Sequence, residues 1–390
     1  MSSFNLYSPE FDANPFDSYK DLRDNHPCFW SEEAQKWVLT RYDDVFNALN
    51  DWQTYSSAKG NLVDEFPGRA GNTLGSMDPP RHDQLRSVVQ AVFAKRNLNH
   101  LIEPIQQIAR AAIENNIGDK KVFDFADDFA SEITFNVLVA LLGLPADDPD
   151  EVRRNALLMV QTDAKTKQKG AEHLAAFEWM QAYSKEVISA RAANPGDDLI
   201  SQLITAEVDG YKLDLIQVQT TVTTLIMAGI ESLSGFLKMF GKNLAEFPEQ
   251  RKKVLEDMSL LPNAIEESMR YNSSAQRFRR CLTKDVTLHG QTMKAGDFVI
   301  LAYGAANRDE RKFPEPDSFD VTRKAKGHLG MGGGVHLCLG NSIARLAIKT
   351  SMEVFLQAIP DFSLAESDDK LDWLASSNFR SPKKLLMVRG

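Results

Sequence analysis

Apolar residues recur every three or four positions over most of this chain, and every second position only in short stretches. From Pro79 to about residue 255 the helical period dominates. It predicts helices over Arg81–Phe93, Ile102–Asn115, Phe125–Leu142, Pro149–Val160, Ala171–Ala193 and Leu199–Ala206. Gly143-Leu144-Pro145 and Asn194-Pro195-Gly196 stop and restart the pattern. The run from Leu213 to Phe247 is longer than an ordinary globular helix and apolar on most sides, which predicts a central, buried helix. Ahead of this block come a helix from Pro15 to Leu22, a strand over Lys36–Thr40 and a helix over Tyr42–Leu49. Residues 53–80, rich in Gly, Ser, Asn and Pro, predict a long loop, of a length that is usually either functional or disordered. After residue 280 the period shortens to two. Residues 286–288, 291–293, 298–301 and 385–388 predict strands, with turns at Gly290 and Gly296. Residues 307–330 read as irregular. No repeat, low-complexity segment or linker divides the chain, so a mainly α fold with a minor β part is expected, in one domain over 1–390.

Composition narrows this little. The chain has 390 residues, 43% of them hydrophobic, enough for a large core. A net charge of -9 argues against general nucleic-acid binding. Cys28, Cys281 and Cys338 are too few and too unpatterned for a disulfide framework, which points to a reducing, cytoplasmic setting. The opening residues carry neither the basic nor the apolar segment of a secretion signal, and no apolar run reaches bilayer-spanning length. A monomer away from membranes is the expectation.

The chemistry concentrates in Gly330-Met331-Gly332-Gly333-Gly334-Val335-His336-Leu337-Cys338-Leu339-Gly340, where five of eleven residues are glycine. Helical spacing resumes after Cys338, so the stretch reads as a glycine-rich loop delivering one sulfur to a helix start. Glycines admit positive φ and the close approach of something bulky. A helix N-terminus favours thiolate. Such a sulfur is a metal ligand or a nucleophile; the plain alternative is a buried structural cysteine. Ala228-Gly229-Ile230-Glu231-Ser232 sets a glycine, an acid and a hydroxyl inside the apolar helix. Glycine there costs about 1 kcal/mol against alanine, and a buried carboxylate costs more unless paired. A kink or active site is one reading, a solvent-facing pair the other. Glu267 and Arg270 share a helix face, as surface ion pairs do. His82 and Arg86, one turn apart after the helix start at Asp78-Pro79-Pro80, can both donate to an anion.

In this order and at these separations the four features resemble the cytochrome P450 family over nearly the whole chain. Gly332 to Gly340 is similar to its haem-binding signature, in which Cys338 matches the axial thiolate that binds the metal, with His336 and Gly340 as cofactor-binding neighbours. Gly229, Glu231 and Ser232 match the oxygen-activation motif and are the implied catalytic residues. Glu267 and Arg270 match a structural ion pair, while His82, Arg86 and Arg280 match residues that bind haem propionates. Ala306–Asp309 and Phe313–Asp320 are similar to the family's meander. Three positions depart from the pattern. Met331 stands where Phe is usual, and Ser232 where Thr is usual. Ser318 stands where Arg or His often sits, which leaves Arg323 to complete the ion network.

The resemblance implies a P450 fold with haem b buried between the long central helix and the cysteine loop. It implies a monooxygenase that puts one atom of O2 into a small hydrophobic, partly aromatic substrate, by hydroxylation or oxidative O-dealkylation. Peroxide-driven turnover and a non-catalytic haem sensor are the alternatives. Electrons would come from NAD(P)H through a separate ferredoxin reductase and ferredoxin. Lys95, Arg96, Arg323, Lys324, Lys326, Arg345 and Lys349 would form the docking patch. The pocket would take in Leu225, Ile226 and Ala228 of the central helix, then Ala275, Gln276, Phe278 and Phe379. The 58–78 loop and the helices around 155–185 would close it, with Arg69, Gln276 or Asn378 orienting a polar group.

Overall fold

The computed structural model describes residues 4–95, 98–145, 149–163, 166 and 168–390. Helices form where the apolar spacing places them: Arg81–Lys95, Ile102–Ala112, Pro149–Val160, Ala171–Ala193 and Leu199–Thr205. The stretch expected as one helix from Phe125 to Leu142 is divided. Phe125–Ser131 is a wider π-helical segment, and the α-helix proper is Glu132–Leu142. The Asp124 carboxylate opens it by accepting from the Ala126 N–H at 3.0 Å.

The central helix spans Leu215–Glu246, 32 residues without interruption. Its start is closed reciprocally. The Gln217 N–H donates to Asp214 Oδ1 at 2.7 Å, and the Asp214 N–H to Gln217 Oε1 at 3.0 Å. The helix packs against Pro149–Val160, Ala171–Ala193, Glu132–Leu142 and Leu261–Tyr271. Among the described residues it is the one helix long and apolar enough to cross a membrane, which corrects the expectation that no run reached that length. Yet 67% of its most apolar window is buried inside the molecule, as befits a core helix.

The β part is larger than the alternating pattern suggested. Five strands lie in the order Cys28–Ser31, Lys36–Leu39, Phe298–Ala302, Arg277–Leu282, Tyr55–Ser56. Val299 sits opposite Trp37 in the parallel pair and opposite Arg280 in the antiparallel one. Val299 and Leu301 feed an apolar cluster on one face, and Ile300 and Ala302 a cluster on the other. Arg277–Leu282 hides from a hydrophobicity reading because three of its six residues are arginine. Each is buried by giving its guanidinium to oxygens. Arg277 donates to Ser377 O at 2.6 Å and Tyr19 Oη at 3.0 Å, and Arg279 to Lys59 O at 2.9 Å. A three-stranded sheet in the order Phe362–Leu364, Leu386–Arg389, Val122–Asp124 ties the C-terminus to the helical body. The main core runs through the helices from Leu62 to Met387. Into it the helix Asn341–Ala358 is set against Ile102–Ala112 and Leu261–Tyr271, which fixes the place where the cysteine loop ends.

Candidate active site

Between the central helix and the cysteine loop lies a slot of about 230 Å³ with mostly apolar walls. Leu225, Ala228, Gly229 and Ser232 line one side; Met331, His336, Cys338 and Gly340 line the other. Ala228 is exposed in the middle of a core helix, whereas Ile230 and Glu231 beside it are buried. The helix therefore shows bare backbone and small side chains to the slot at one point only along this turn.

On the cysteine side, the loop is fixed by the Cys338 N–H donating to Met331 O at 3.0 Å, and Cys338 and Met331 share the cavity wall. Burial pushes the Cys338 thiol pKa up, against the Gly340 N–H and the charges of Arg345 and Arg86. In the free thiol, desolvation thus opposes the pull of the helix start toward thiolate. A coordinating metal reverses this balance, because a metal-bound thiol is deprotonated outright. The loop glycines also serve a different neighbour from the one expected. Gly334 has φ +59, and a Cβ there would stand 2.0 Å from Leu49 O, so it is the backbone of the last turn of the Tyr42–Asn50 helix that comes close.

On the helix side, a Cβ at Gly229 would meet the Leu138 side chain at 2.7 Å, so this glycine lets the Glu132–Leu142 helix pack tightly. The Ser232 hydroxyl donates to Ala228 O one turn back and faces the slot. Glu231 does not. It is fully buried and accepts from Ser381 Oγ at 2.7 Å, and its Oε2 has no partner among the described residues. Burial raises its pKa against the opposing influence of Lys238 and Ser381.

At the rim four basic side chains converge. The rings of His82 and His336 lie edge to face, 4.6 Å apart, and the Nε2 of each is buried and unpartnered. Burial first, then the charges of Arg280, His82 and Arg86, drive the His336 pKa down to about 2. Arg86 donates to Val335 O at 3.1 Å and Leu337 O at 2.8 Å. Arg280, 4% exposed, donates to Arg279 O at 2.8 Å. Among the described residues, the one carboxylate in hydrogen-bond contact with this group is Asp83, at 2.8 Å from His82 Nδ1. Orphaned donors and mutually repelling charge at the edge of an apolar slot suit a flat, apolar group whose edge bears anions. Haem with its two propionates is such a group, and the single sulfur in the wall suits its iron.

The cytochrome P450 family model matches residues 4–388. The chain belongs to the cytochrome P450 family. This P450 is 33% identical over 380 residues to the mycinamicin IV hydroxylase/epoxidase of Micromonospora griseorubida, covering 95% of this chain and 94% of that protein. It is 31% identical over 393 residues to the vitamin D(3) 25-hydroxylase of Pseudonocardia autotrophica, covering 99% and 96%. Among solved structures, CYP109Q5 from Chondromyces apiculatus matches with TM-score 0.89 and 29% identity over 99% of this chain and 98% of that one. The protein is accordingly a P450 monooxygenase of the haem-iron, O2-using kind, with bacterial relatives that act on small molecules.

The ion pair of this P450 is not a surface feature. Glu267 and Arg270 are fully buried, joined at 2.8 and 2.9 Å. Arg270 also donates to Asn307 O and Pro316 O at 3.0 and 2.8 Å. Arg323 Nε reaches Glu267 Oε1 at 3.0 Å, so it does complete the network. Ser318 contributes its carbonyl, at 3.1 Å from Arg270.

Of the expected pocket residues, Leu225 and Ala228 line the slot. Ile226 is fully buried in the main core and lies outside the slot wall. Ala275, Phe278 and Phe379 also lie outside it. Ala275 and Phe379 pair as a β-bridge, with the Phe278 ring 5.9 Å from that of Phe379. Gln276 donates to Ser273 O at 2.6 Å and abuts Gly304, and Asn378 donates to Arg277 O at 2.9 Å, so neither turns to the slot. In the expected docking patch Arg323 is engaged with Glu267, Arg345 with Glu266 at 2.6 and 2.9 Å, and Lys349 with Glu353 at 2.6 Å. Lys324 and Lys326 are exposed. Arg96 and the Lys95 side chain lie outside the described residues. The sequence reading missed Leu138 and Phe236 in the slot wall, which carry no signal beyond helical apolar spacing.

Proposed function

We propose that this P450 inserts one oxygen atom of O2 into a C–H bond of a small, mostly apolar organic substrate, as a single catalytic unit over residues 1–390. Cys338 is the proximal ligand in this reading, and a ferredoxin, reduced from NAD(P)H by its reductase, is the electron donor. The observation that carries it is the facing pair across one slot: Cys338 on the loop and Ser232 on the central helix, with an orphaned basic cluster at the rim. In P450s, the reference case of cysteine ligation of haem, the thiolate pushes electron density onto iron and favours O–O cleavage.

The chain's own residues support that chemistry. The Gly340 N–H donates toward the Cys338 sulfur and tempers its basicity. His82, Arg86, Arg280 and His336 offer donors for two propionates, and the pairing relieves their mutual repulsion. Ser232 holds a hydroxyl at the slot where water and protons must be handled, and Glu231, its pKa raised by burial, lies behind the helix. The balance is two electrons and two protons per O2, one oxygen leaving as water and one in the product. Leu225, Leu138 and Phe236 keep the slot apolar and dry. Relatives are named as a mycinamicin IV hydroxylase/epoxidase and a vitamin D(3) 25-hydroxylase, which favours hydroxylation over O-dealkylation here. Exposed Lys324 and Lys326 are the basic residues left for an acidic ferredoxin.

The test supplies the holoprotein with NADH, a ferredoxin reductase and a ferredoxin, then with peroxide alone, over a panel of apolar compounds. Product that needs the reduced ferredoxin and O2 is expected. Equal product from peroxide alone would replace this reading with a peroxygenase, and no product from either would favour a haem-binding protein without catalysis.

A further inference from the structure

Two cations act on the Cys338 sulfur, Arg345 and Arg86. They are held differently. Arg86 lines the slot and belongs to the rim cluster. Arg345, about two turns beyond Cys338 on the helix Asn341–Ala358, stays out of the slot wall. Its guanidinium is taken by Glu266 of the helix Leu261–Tyr271 in a two-point pair, Nε to Oε1 at 2.6 Å and Nη2 to Oε2 at 2.9 Å. Its Nη1 also donates to Asn341 O at 3.3 Å, and Asn341 Nδ2 donates to Cys338 O at 2.7 Å. The cation is thereby tied to the turn that carries the sulfur.

His328 closes the other side of Glu266. Its Nε2 stands 3.0 Å from Glu266 Oε2, and its Nδ1 accepts from the Gly330 N–H at 3.1 Å. A ring nitrogen that accepts carries no proton, so the hydrogen of His328 is on Nε2 and the ring is a neutral donor. Burial works to raise the Glu266 pKa, but hydrogen bonds from His328 and Arg345 bring it down to about 2, so the carboxylate is charged at any working pH. The contacts thus run from Gly330, where the cysteine loop opens, through His328, Glu266 and Arg345 to Asn341, just past its end, and hold one cation and one anion. Arg345 and Glu266 are 37% and 29% exposed, where an ion pair adds little to stability. What the pair does change is the charge beside the sulfur.

We propose that Glu266 is a positioning residue for the haem–thiolate chemistry: by neutralising Arg345 it holds the reduction potential of the bound iron down and the electron donation of the Cys338 thiolate up. Reduction adds a negative charge at the iron, so an unbalanced cation nearby favours the reduced form and an unbalanced anion the oxidised form. A bare cation also draws density from the thiolate and weakens its push toward O–O cleavage. Glu266 touches none of the reacting atoms and acts through Arg345. The inference rests on the reading of Cys338 as the iron ligand.

Redox titration of the holoprotein tests it, with the infrared C–O stretch of the reduced carbon monoxide complex as a second readout. Glu266→Gln leaves Arg345 unbalanced and should raise the ratio of reduced to oxidised haem at a fixed potential at least about threefold. Arg345→Gln leaves Glu266 unbalanced and should lower that ratio by a similar factor. The double variant Glu266→Gln/Arg345→Gln is neutral like the wild-type pair and should return to the wild-type ratio. The C–O stretch should rise in the first variant, fall in the second and return in the third, because stronger thiolate donation weakens the C–O bond. Arg345→Lys keeps the charge and loses the two-point geometry; it should stay close to the wild type, and it decides the matter if Arg345→Gln does not load haem. Single variants that shift in the same direction or not at all, a double variant that does not return, or Arg345→Lys moving as Arg345→Gln is expected to move would overturn the assignment, since each marks a merely structural contact. A wild-type protein without the thiolate signature in its reduced carbon monoxide spectrum would instead remove the ligand reading beneath it.

Discussion

Glu231 and Ser232 are neighbours in the chain, but the helix turns them about 100° apart, and their surroundings differ completely. Ser232 lines the slot and Glu231 is sealed behind the helix against Ser381. If Ser232 handles protons at the slot, Ser232→Ala should keep consuming NADH while peroxide rises at the expense of product; unchanged coupling would take Ser232 out of the mechanism. Glu231 carries a different expectation. Burial raises its folded pKa above that of the unfolded chain, so the stability tied to its proton is complete below the ordinary carboxylate pKa of 4.5 and is lost as pH rises through the raised folded value. Glu231→Gln cannot titrate, so its Tm relative to the wild type should climb as pH rises from the ordinary carboxylate pKa of 4.5 through the raised folded value. A difference that stays flat with pH would show that Glu231 is ionised in the folded protein. At this scale residue types and spacing pointed to Cys338, Ser232, His82 and Arg86, whereas Arg280 and His336 entered only through the family resemblance. Spacing could not announce that Gln276 would spend its amide on Ser273 O, because side-chain direction depends on packing absent from a one-dimensional pattern.

The elements divide by how they hide their polar groups. Long helices with apolar stripes were legible almost to their ends, as at Pro149–Val160 and Ala171–Ala193. The strand Arg277–Leu282 was not, because its arginines are satisfied by carbonyls from segments far away in the chain. The helix Leu261–Tyr271 shows the same effect: a spacing that elsewhere makes a surface ion pair here makes a buried hub. Removing Glu267 strands Arg270 in the interior, so Glu267→Ala should lower unfolding free energy in urea by about 3–5 kcal/mol. Arg323→Ala leaves the Glu267–Arg270 pair intact and should cost clearly less. Equal losses from the two variants would mean that the pair and its outer arginine act as one unit.

Across the whole molecule, the sheet, the meander and the helix Asn341–Ala358 serve to hold one sulfur opposite one stretch of the central helix. The order of motifs along the chain carried that arrangement. That segment 68–73 and helices far downstream enclose a cavity was legible only through the family resemblance, because no local pattern joins segments so distant in the chain. The central claim is that Cys338 is the sulfur a haem iron would meet in this slot. Reduced holoprotein under carbon monoxide tests it most directly. The wild type should show the red-shifted Soret band of a thiolate-ligated haem, and Cys338→Ser should lose it while haem content is matched. A wild-type spectrum without that band, or a Cys338→Ser protein that keeps it, would contradict the account.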